Sequence, residues 1–218
     1  MTAVFDWDGT LHNTAALYGH ALRAACRELA ARGYTPPCEP TDEEASVYLG
    51  MNAPDMWNRF FPSLPESEKK RSSAIVGRVM VEGIASGAAS LYPEAESVLA
   101  HCKARGWSVV ILSNCEHAYM EAHRRAFNLD RWVDGYYCCE DFDFRPKTEI
   151  FSSIRAACPP PYVIIGDRQS DMQVAEAHSL PFIACLYGFG GEGELDAAPL
   201  KAAACSDLPA LLDKLAEK

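Results

Sequence analysis

Short runs of consecutive aliphatic residues alternate along the chain with longer segments in which apolar residues recur at helical spacing. The short runs predict buried strands, and the longer segments predict amphipathic helices. Five strands are predicted in this way, at residues 2–6, 109–112, 136–139, 162–165 and 182–186. Continuous apolar strands separated by helices are typical of a parallel sheet covered on both faces. The pattern therefore predicts an α/β fold with a doubly wound parallel sheet.

Residues 14–90 interrupt this alternation, because their pattern predicts helices only. We therefore predict a core domain built from residues 1–13 and 91–218, with a helical insertion at residues 14–90. Within the insertion, Trp57, Phe60 and Phe61 form an apolar cluster. We interpret this cluster as the insertion's hydrophobic core rather than as a surface for substrate.

Composition and charge restrict the possible classes of function. The chain has 218 residues, of which 49% are hydrophobic and 23% charged, and this is typical of a globular protein. Its 20 basic and 30 acidic side chains give a formal charge of −10, which argues against nucleic acid or an anionic membrane as a partner.

Targeting and cysteine usage suggest a location. The first residues lack a secretion signal, and the longest uncharged stretch is too short to span a membrane. The nine cysteines lack Cys-x-x-Cys spacing, which favours reduced thiols. We expect a cytoplasmic protein that is a monomer or a weak homodimer.

Polar residues follow three of the predicted strands at the point where each strand ends. They are Asp6 and Asp8, Ser113 and Asn114, and Asp167 and Asp171. In an open parallel sheet, ligands bind beyond the carboxyl ends of the strands, so we expect these side chains to converge on one site.

The segment Asp6-Trp7-Asp8-Gly9-Thr10 carries the strongest signal. Two carboxylates separated by one residue can serve one site in different roles, and Gly9 allows the backbone to turn sharply. A simple Asp-Gly turn capped by Asp8 is the alternative. That alternative does not explain why a buried strand ends in Asp6.

These motifs resemble those of the haloacid dehalogenase superfamily, in its phosphoglycolate-phosphatase-like branch. The matching features are Asp-x-Asp-Gly-Thr at residues 6–10, Ser113, Lys147 and the acidic motif at residues 165–171. Segments 91–93 and 187–190 resemble the same branch. The resemblance covers nearly the whole chain and implies a Rossmann-like core whose inserted helices form a cap domain.

The resemblance also implies a phosphatase that acts on a small-molecule phosphomonoester. Asp6 is then the nucleophile that forms an aspartyl-phosphate, and Asp8 is the general acid and later the general base. A free Asp titrates near pH ~3.9, so the acid role requires surroundings that keep Asp8 partly protonated.

A phosphate dianion approaches an acidic cluster only with a divalent cation present, and carboxylate ligands favour Mg²⁺. By resemblance, Asp6 and Asp167 supply carboxylates to the metal and Asp8 supplies its backbone carbonyl. Asp171 orients a metal-bound water.

Two assignments near the phosphate leave alternatives open. Ser113 and the Asn114 backbone are expected to bind phosphate, although either side chain could instead cap the helix that follows. The basic position is filled by Lys147 or by Arg145, depending on the register of the motif. We favour Lys147, a compact charge suited to phosphate. Arg168 is expected to pair with a carboxylate.

Several other functions share some of these features. A phosphotransferase or mutase, similar to beta-phosphoglucomutase, would pass the phosphoryl group to a hydroxyl. A dehalogenase lacks the second motif carboxylate, so Asp8 argues against it. A non-enzymatic receiver-like module carries its phosphorylated Asp after a later strand. Of the histidines, we expect His12 to be structural and His123 to lie on a helix surface.

Overall fold

A six-stranded parallel sheet forms the centre of the computed structural model, which describes residues 1–217. Its strands are β1 (Thr2–Phe5), β2 (Ser108–Ser113), β3 (Gly135–Cys138), β4 (Tyr162–Gly166), β5 (Phe182–Cys185) and β6 (Leu200–Ala202). The order β3-β2-β1-β4-β5-β6 places the first strand between the second and the fourth. The predicted doubly wound α/β fold is confirmed.

Strand β6 was not predicted, and the reason is its position. It is an edge strand of three residues that pairs only with β5, and its middle residue, Lys201, is exposed. An edge strand is exposed to solvent on one side, so its sequence does not need a continuous aliphatic run. Residue 218, the last of the predicted core range, lies outside the described residues.

Between residue 15 and residue 85 the chain forms helices joined by loops and no strand, as predicted. They are α1 (Ala15–Ala31), α2 (Asp42–Ser46), α3 (Ala53–Phe60) and α4 (Glu66–Ala85). Helix α4 ends at Ala85, because Gly87, two residues later, takes a left-handed conformation with φ +82°. The division of the chain into a core domain and a cap domain stays a prediction.

Five further α-helices within residues 1–217 cover the sheet. They are α5 (Ala95–Ala104), α6 (His117–Ala126), α7 (Lys147–Ile154), α8 (Gln169–His178) and α9 (Leu208–Ala216). Alternate residues of each strand point to opposite faces, so Ala3 and Phe5 join one apolar cluster while Val4 joins another. The first cluster extends into the insertion and includes Trp57 and Phe60, with Phe61 packed against it.

The chain enters and leaves the helical insertion at one place. His12 forms an antiparallel bridge with Leu91, and the Asn13 amide donates to the Ser90 carbonyl at 3.0 Å. The two connections therefore lie side by side at the carboxyl end of β1. Within residues 1–217, no helix has the length and apolar character needed to cross a membrane.

Candidate active site

Three carboxylates, two that follow strands and one on a helix, meet at the carboxyl edge of the sheet. Asp6 directly follows β1, and Asp167 directly follows β4, which pairs with β1 so that Phe5 lies opposite Ile165. Asp171 joins them from the first turn of α8. One oxygen from each of the three carboxylates lies within 4.8 Å of the others, and all three residues are buried. The parallel pairing of β1 and β4 is thus what brings these distant residues together.

Lys147 is the cation of this cluster. It is the first residue of α7, and its Nζ atom lies 2.6 Å from Asp6 Oδ1 and 2.6 Å from Asp171 Oδ1. Arg145 is exposed, and its Nε donates to the Phe142 carbonyl at 3.1 Å. Of the two basic residues that the motif allowed, the structure therefore brings Lys147 to the carboxylates.

The cluster carries more negative charge than Lys147 balances. Burial raises the pKa of Asp6 to about 7, although Lys147 acts in the opposite direction. Burial, followed by the charge of Asp6, raises the pKa of Asp167 well above its usual range. Burial alone lowers the pKa of Lys147, but Asp171 and Asp6 outweigh it, so its ammonium stays charged. A further positive charge would favour ionised carboxylates here.

The residues around Asp167 fit a small, hard cation. Asp167 Oδ2 accepts from the Phe189 amide at 2.7 Å, whereas Oδ1 is buried and has no hydrogen-bond partner among residues 1–217. Gly9 and Gly188 lie so close that a Cβ on either one would overlap the Asp167 carboxylate. The two glycines leave room beside Asp167, and its Oδ1 is free to act as a ligand. Mg²⁺ prefers such carboxylate oxygens as ligands.

Asp8 lies in a separate hydrogen-bond network. Its Oδ1 accepts from the Tyr119 hydroxyl at 2.7 Å and from the Thr14 hydroxyl, and it lies 3.0 Å from His12 Nδ1. Burial acts to raise the pKa of Asp8, but the hydrogen bond and charge of His12 outweigh it and lower the pKa. This direction differs from the partly protonated Asp8 that the predicted acid role requires.

The prediction that His123 lies on a helix surface is wrong. His123 is fully buried, and its Nε2 lies 3.3 Å from Nε2 of His12, which is itself fully buried. The ring of Trp7 stacks on His12 at a centroid distance of 5.9 Å. The i, i+4 spacing of Tyr119 and His123 places both on one face of α6, a signal that could have indicated their burial.

The two residues after β2 have different surroundings. Ser113 is buried at the end of the strand, near the carboxylates. Helix α6 begins at His117, whose amide donates to Glu140 Oε2 at 2.8 Å, so neither Ser113 nor Asn114 is its cap. The Asn114 side-chain amide donates to the Gly50 carbonyl at 2.8 Å and ties the sheet edge to the insertion.

Arg168 lies between the motif acids in sequence, and it pairs with a carboxylate as predicted. Its Nε donates to Glu194 Oε1 at 2.9 Å, and its Nη1 donates to the Leu49 carbonyl. The guanidinium thus links the sheet edge to the insertion, as Asn114 does.

A cavity of about 100 Å³ opens between the sheet edge and the insertion. Asp6, Asp8 and Ser113 line it from the sheet side. Helices α1, α3, α4 and α6 supply most of the other walls. Asp6, the candidate nucleophile, and Ser113, the candidate hydrogen-bond donor to phosphate, therefore face the same cavity.

The model of the haloacid dehalogenase-like hydrolases matches residues 1–179. The chain belongs to this family. It is 28% identical to a phosphoglycolate phosphatase of Cereibacter sphaeroides over 191 residues, which cover 85% of each chain.

Solved structures of similar fold extend the comparison. A predicted phosphatase from Clostridium acetobutylicum is 18% identical, with a TM-score of 0.83 over 98% of each chain. A mutant of CbbY from Rhodobacter sphaeroides in complex with xylulose-1,5-bisphosphate is 19% identical, with a TM-score of 0.78 over 95% of each chain. The predicted family and the prediction of a phosphatase-type hydrolase are confirmed.

Proposed function

We propose that the protein is a Mg²⁺-dependent phosphatase that hydrolyses a small-molecule phosphomonoester through an aspartyl-phosphate on Asp6. The observation that carries this proposal is the ion pair of Asp6 with Lys147 beside Asp167, next to the cavity that Asp6 itself lines. The names of its relatives, phosphoglycolate phosphatases among them, support a small phosphate ester as substrate.

Asp6 attacks phosphorus and breaks the bond to the leaving oxygen. Lys147 holds Asp6 Oδ1 at 2.6 Å and thereby orients the carboxylate, leaving its other oxygen for the attack. The same ammonium, together with Ser113 and the Asn114 backbone, offsets the charge of the phosphate oxygens. In this proposal, Asp171 fixes the position of Lys147 from the other side, at 2.6 Å.

Asp8 moves protons in both steps. It gives a proton to the leaving oxygen in the first step. In the second step it takes a proton from the water that attacks phosphorus, which breaks the bond to Asp6 and releases inorganic phosphate. The hydrogen bonds from Tyr119 and Thr14 stabilise its ionised form, which is the form that the second step needs. Asp8 must therefore gain its proton before the first step.

Asp6 and Asp167, with the Asp8 backbone carbonyl, would hold Mg²⁺, and Asp171 would orient a water bound to it. The bound ion supplies positive charge that lets a phosphate dianion approach three carboxylates. Its presence would also favour the ionised, nucleophilic form of Asp6.

We also propose a cytoplasmic enzyme that is a monomer or a weak homodimer and binds neither nucleic acid nor membranes. The nine cysteines are all free, which suits a reducing compartment. The charge of −10 disfavours polyanionic partners.

A phosphate-release screen over metabolite phosphates, with and without EDTA, tests the proposed function. We expect activity that requires added Mg²⁺ and that is lost in Asp6→Asn. Asp196→Asn, which changes an exposed carboxylate in the same way, serves as the matched control. Undiminished turnover by Asp6→Asn would contradict the nucleophile, and formation of an isomer in place of free phosphate would indicate a mutase.

A further inference from the structure

The cavity wall that faces away from the carboxylates is strongly apolar. It is built by residues of the insertion, namely Tyr18, Leu49, Met56, Trp57, Val76 and Met80. All six of these side chains are buried. A leaving group that fills this space therefore contacts aliphatic, thioether and aromatic surfaces. Such surfaces favour apolar groups and penalise unpaired charge.

This wall also lacks positive charge. No Lys, Arg or His is among the described residues that line the cavity. Lys147 and Arg168 line neighbouring clefts, and both are already engaged. Lys147 bridges Asp6 and Asp171, while Arg168 pairs with Glu194. A second anionic group on the substrate would therefore find no free cation here.

A negative charge instead lies on the wall. Glu116, at the amino end of α6, lines the cavity and is half-buried. Its carboxylate rests against Gly77 of α4, where a Cβ would lie 2.7 Å from Oε2. Burial and then the charge of Glu140 raise its pKa, and no cation opposes these effects. The absence of a side chain at Gly77 gives this carboxylate its place beside the cavity.

We propose that the cavity selects phosphomonoesters of apolar alcohols, aromatic ones included, that carry no second anionic group, and that Glu116 repels anionic leaving groups. This inference rests on the proposed phosphatase function and narrows its substrate class. The inferred substrates differ from the compounds that appear in the names of two similar proteins. Phosphoglycolate carries a carboxylate, and xylulose-1,5-bisphosphate carries a second phosphate.

Three synthetic esters that share a phenyl ring test the inference. They are phenyl phosphate, 4-carbamoylphenyl phosphate and 4-carboxyphenyl phosphate. The last two have nearly the same shape and differ in charge. We expect kcat/KM for the carbamoyl ester to exceed that for the carboxy ester by about tenfold or more, because a like charge near Glu116 is poorly screened there.

Two substitutions on the wall change this ratio in the same direction. Glu116→Gln removes the charge but keeps the shape, and we expect the carbamoyl-to-carboxy ratio to fall at least about fivefold. Ser73→Lys adds a cation on the wall from a half-buried position on α4, and it should also favour the carboxy ester. Glu43→Gln, an exposed site on α2, should leave the ratio unchanged.

The outcomes separate the two proposals. Hydrolysis of none of the esters, nor of any metabolite phosphate with Mg²⁺ present, would overturn the phosphatase function and this inference with it. Mg²⁺-dependent hydrolysis that favours the carboxy ester, or phosphoglycolate over phenyl phosphate, would overturn the substrate class alone. An unchanged ratio in both Glu116→Gln and Ser73→Lys would overturn the role assigned to Glu116.

Discussion

Lys147 Nζ lies 2.6 Å from Asp6 Oδ1, although 141 positions separate the two residues in sequence. Both side chains are almost fully buried, with 3% and 4% of their surface exposed. In the described part of the site, this ammonium is the cation that contacts the carboxylates. The charge balance of this cluster therefore depends on Lys147.

Replacement of Lys147 by Met should abolish phosphate release and destabilise the fold. Removing one partner of a buried ion pair costs about 3–5 kcal/mol, because the remaining charge is left uncompensated. Urea unfolding and a steady-state assay measure the two effects. Arg145→Ala is the matched control, and its unfolding free energy should change by less than about 0.5 kcal/mol. If Arg145→Ala were inactive and Lys147→Met active, Arg145 rather than Lys147 would fill the basic position of the motif.

Tyr119 acts as a positioning residue for Asp8, because its hydroxyl donates to Asp8 Oδ1 at 2.7 Å. Tyr119→Phe should lower kcat about tenfold, the cost of losing a hydrogen bond to a charged group, while KM changes little. Tyr136→Phe removes a hydroxyl whose partner is the exposed Asp130, and it should leave both constants unchanged. A rise in KM with normal kcat would instead indicate that Tyr119 only binds substrate.

Stability should fall in mild acid because of His123. Burial, and then the charge of His12, lower the pKa of His123 from 6.5 to about 3. Between these two values the unfolded chain binds a proton that the folded chain does not, so the free energy of unfolding decreases as pH falls. From pH 7.5 to pH 5 this contribution amounts to about 2 kcal/mol.

His123→Phe keeps an aromatic ring in the buried site and should remove that part of the pH dependence. Urea unfolding at pH 7.5 and pH 5 measures it as a difference between variant and parent. The exposed His20→Phe should retain the parent slope. Equal slopes in parent and His123→Phe would show that His123 binds a proton as readily in the folded protein as in the unfolded chain.

Gly9 tests the close packing around Asp167. Gly9 and Gly87 both have left-handed backbones, with φ of +87° and +82°. A Cβ at Gly9 would overlap the Asp167 carboxylate, whereas a Cβ at Gly87 would meet nothing within 4 Å. Gly87→Ala should therefore show backbone strain alone, about 1 kcal/mol.

Gly9→Ala should cost more than Gly87→Ala, and it should also lose the rise in thermal midpoint that Mg²⁺ gives the parent. A ligand at 100 times its Kd stabilises a protein by about 2.7 kcal/mol, which thermal unfolding easily detects. If Mg²⁺ raised the thermal midpoint of Gly9→Ala as much as that of the parent, Mg²⁺ binding would not depend on the geometry around Asp167.

The strands that position the site were predictable because burial on both faces leaves a clear pattern. The ends of β1, β2 and β4 agree with the sequence to within one residue, and these ends carry the acidic and hydroxyl residues. The edge strand β6 was not predicted, because it is partly exposed to solvent and therefore lacks a continuous apolar run.

The network around Asp8 could not be predicted from the first motif alone. His123 and Tyr119 reach Asp8 and His12 only because α6 turns one face toward the sheet, and this orientation is set by tertiary packing. Likewise, Lys147 and Arg145 both fitted the motif. The choice between them depends on where α7 begins, and helix ends are poorly determined by sequence.

The bridge between His12 and Leu91 joins the two connections of the helical insertion at one point. A short splice across that point would close the chain while every sheet strand kept its neighbours. The covalent connections of the insertion to the sheet are therefore confined to one junction, while Asn114 and Arg168 add hydrogen bonds between the two. Exchange of the helical insertion between relatives at this junction would therefore transfer substrate preference and leave Asp6, Lys147 and Asp167 unchanged.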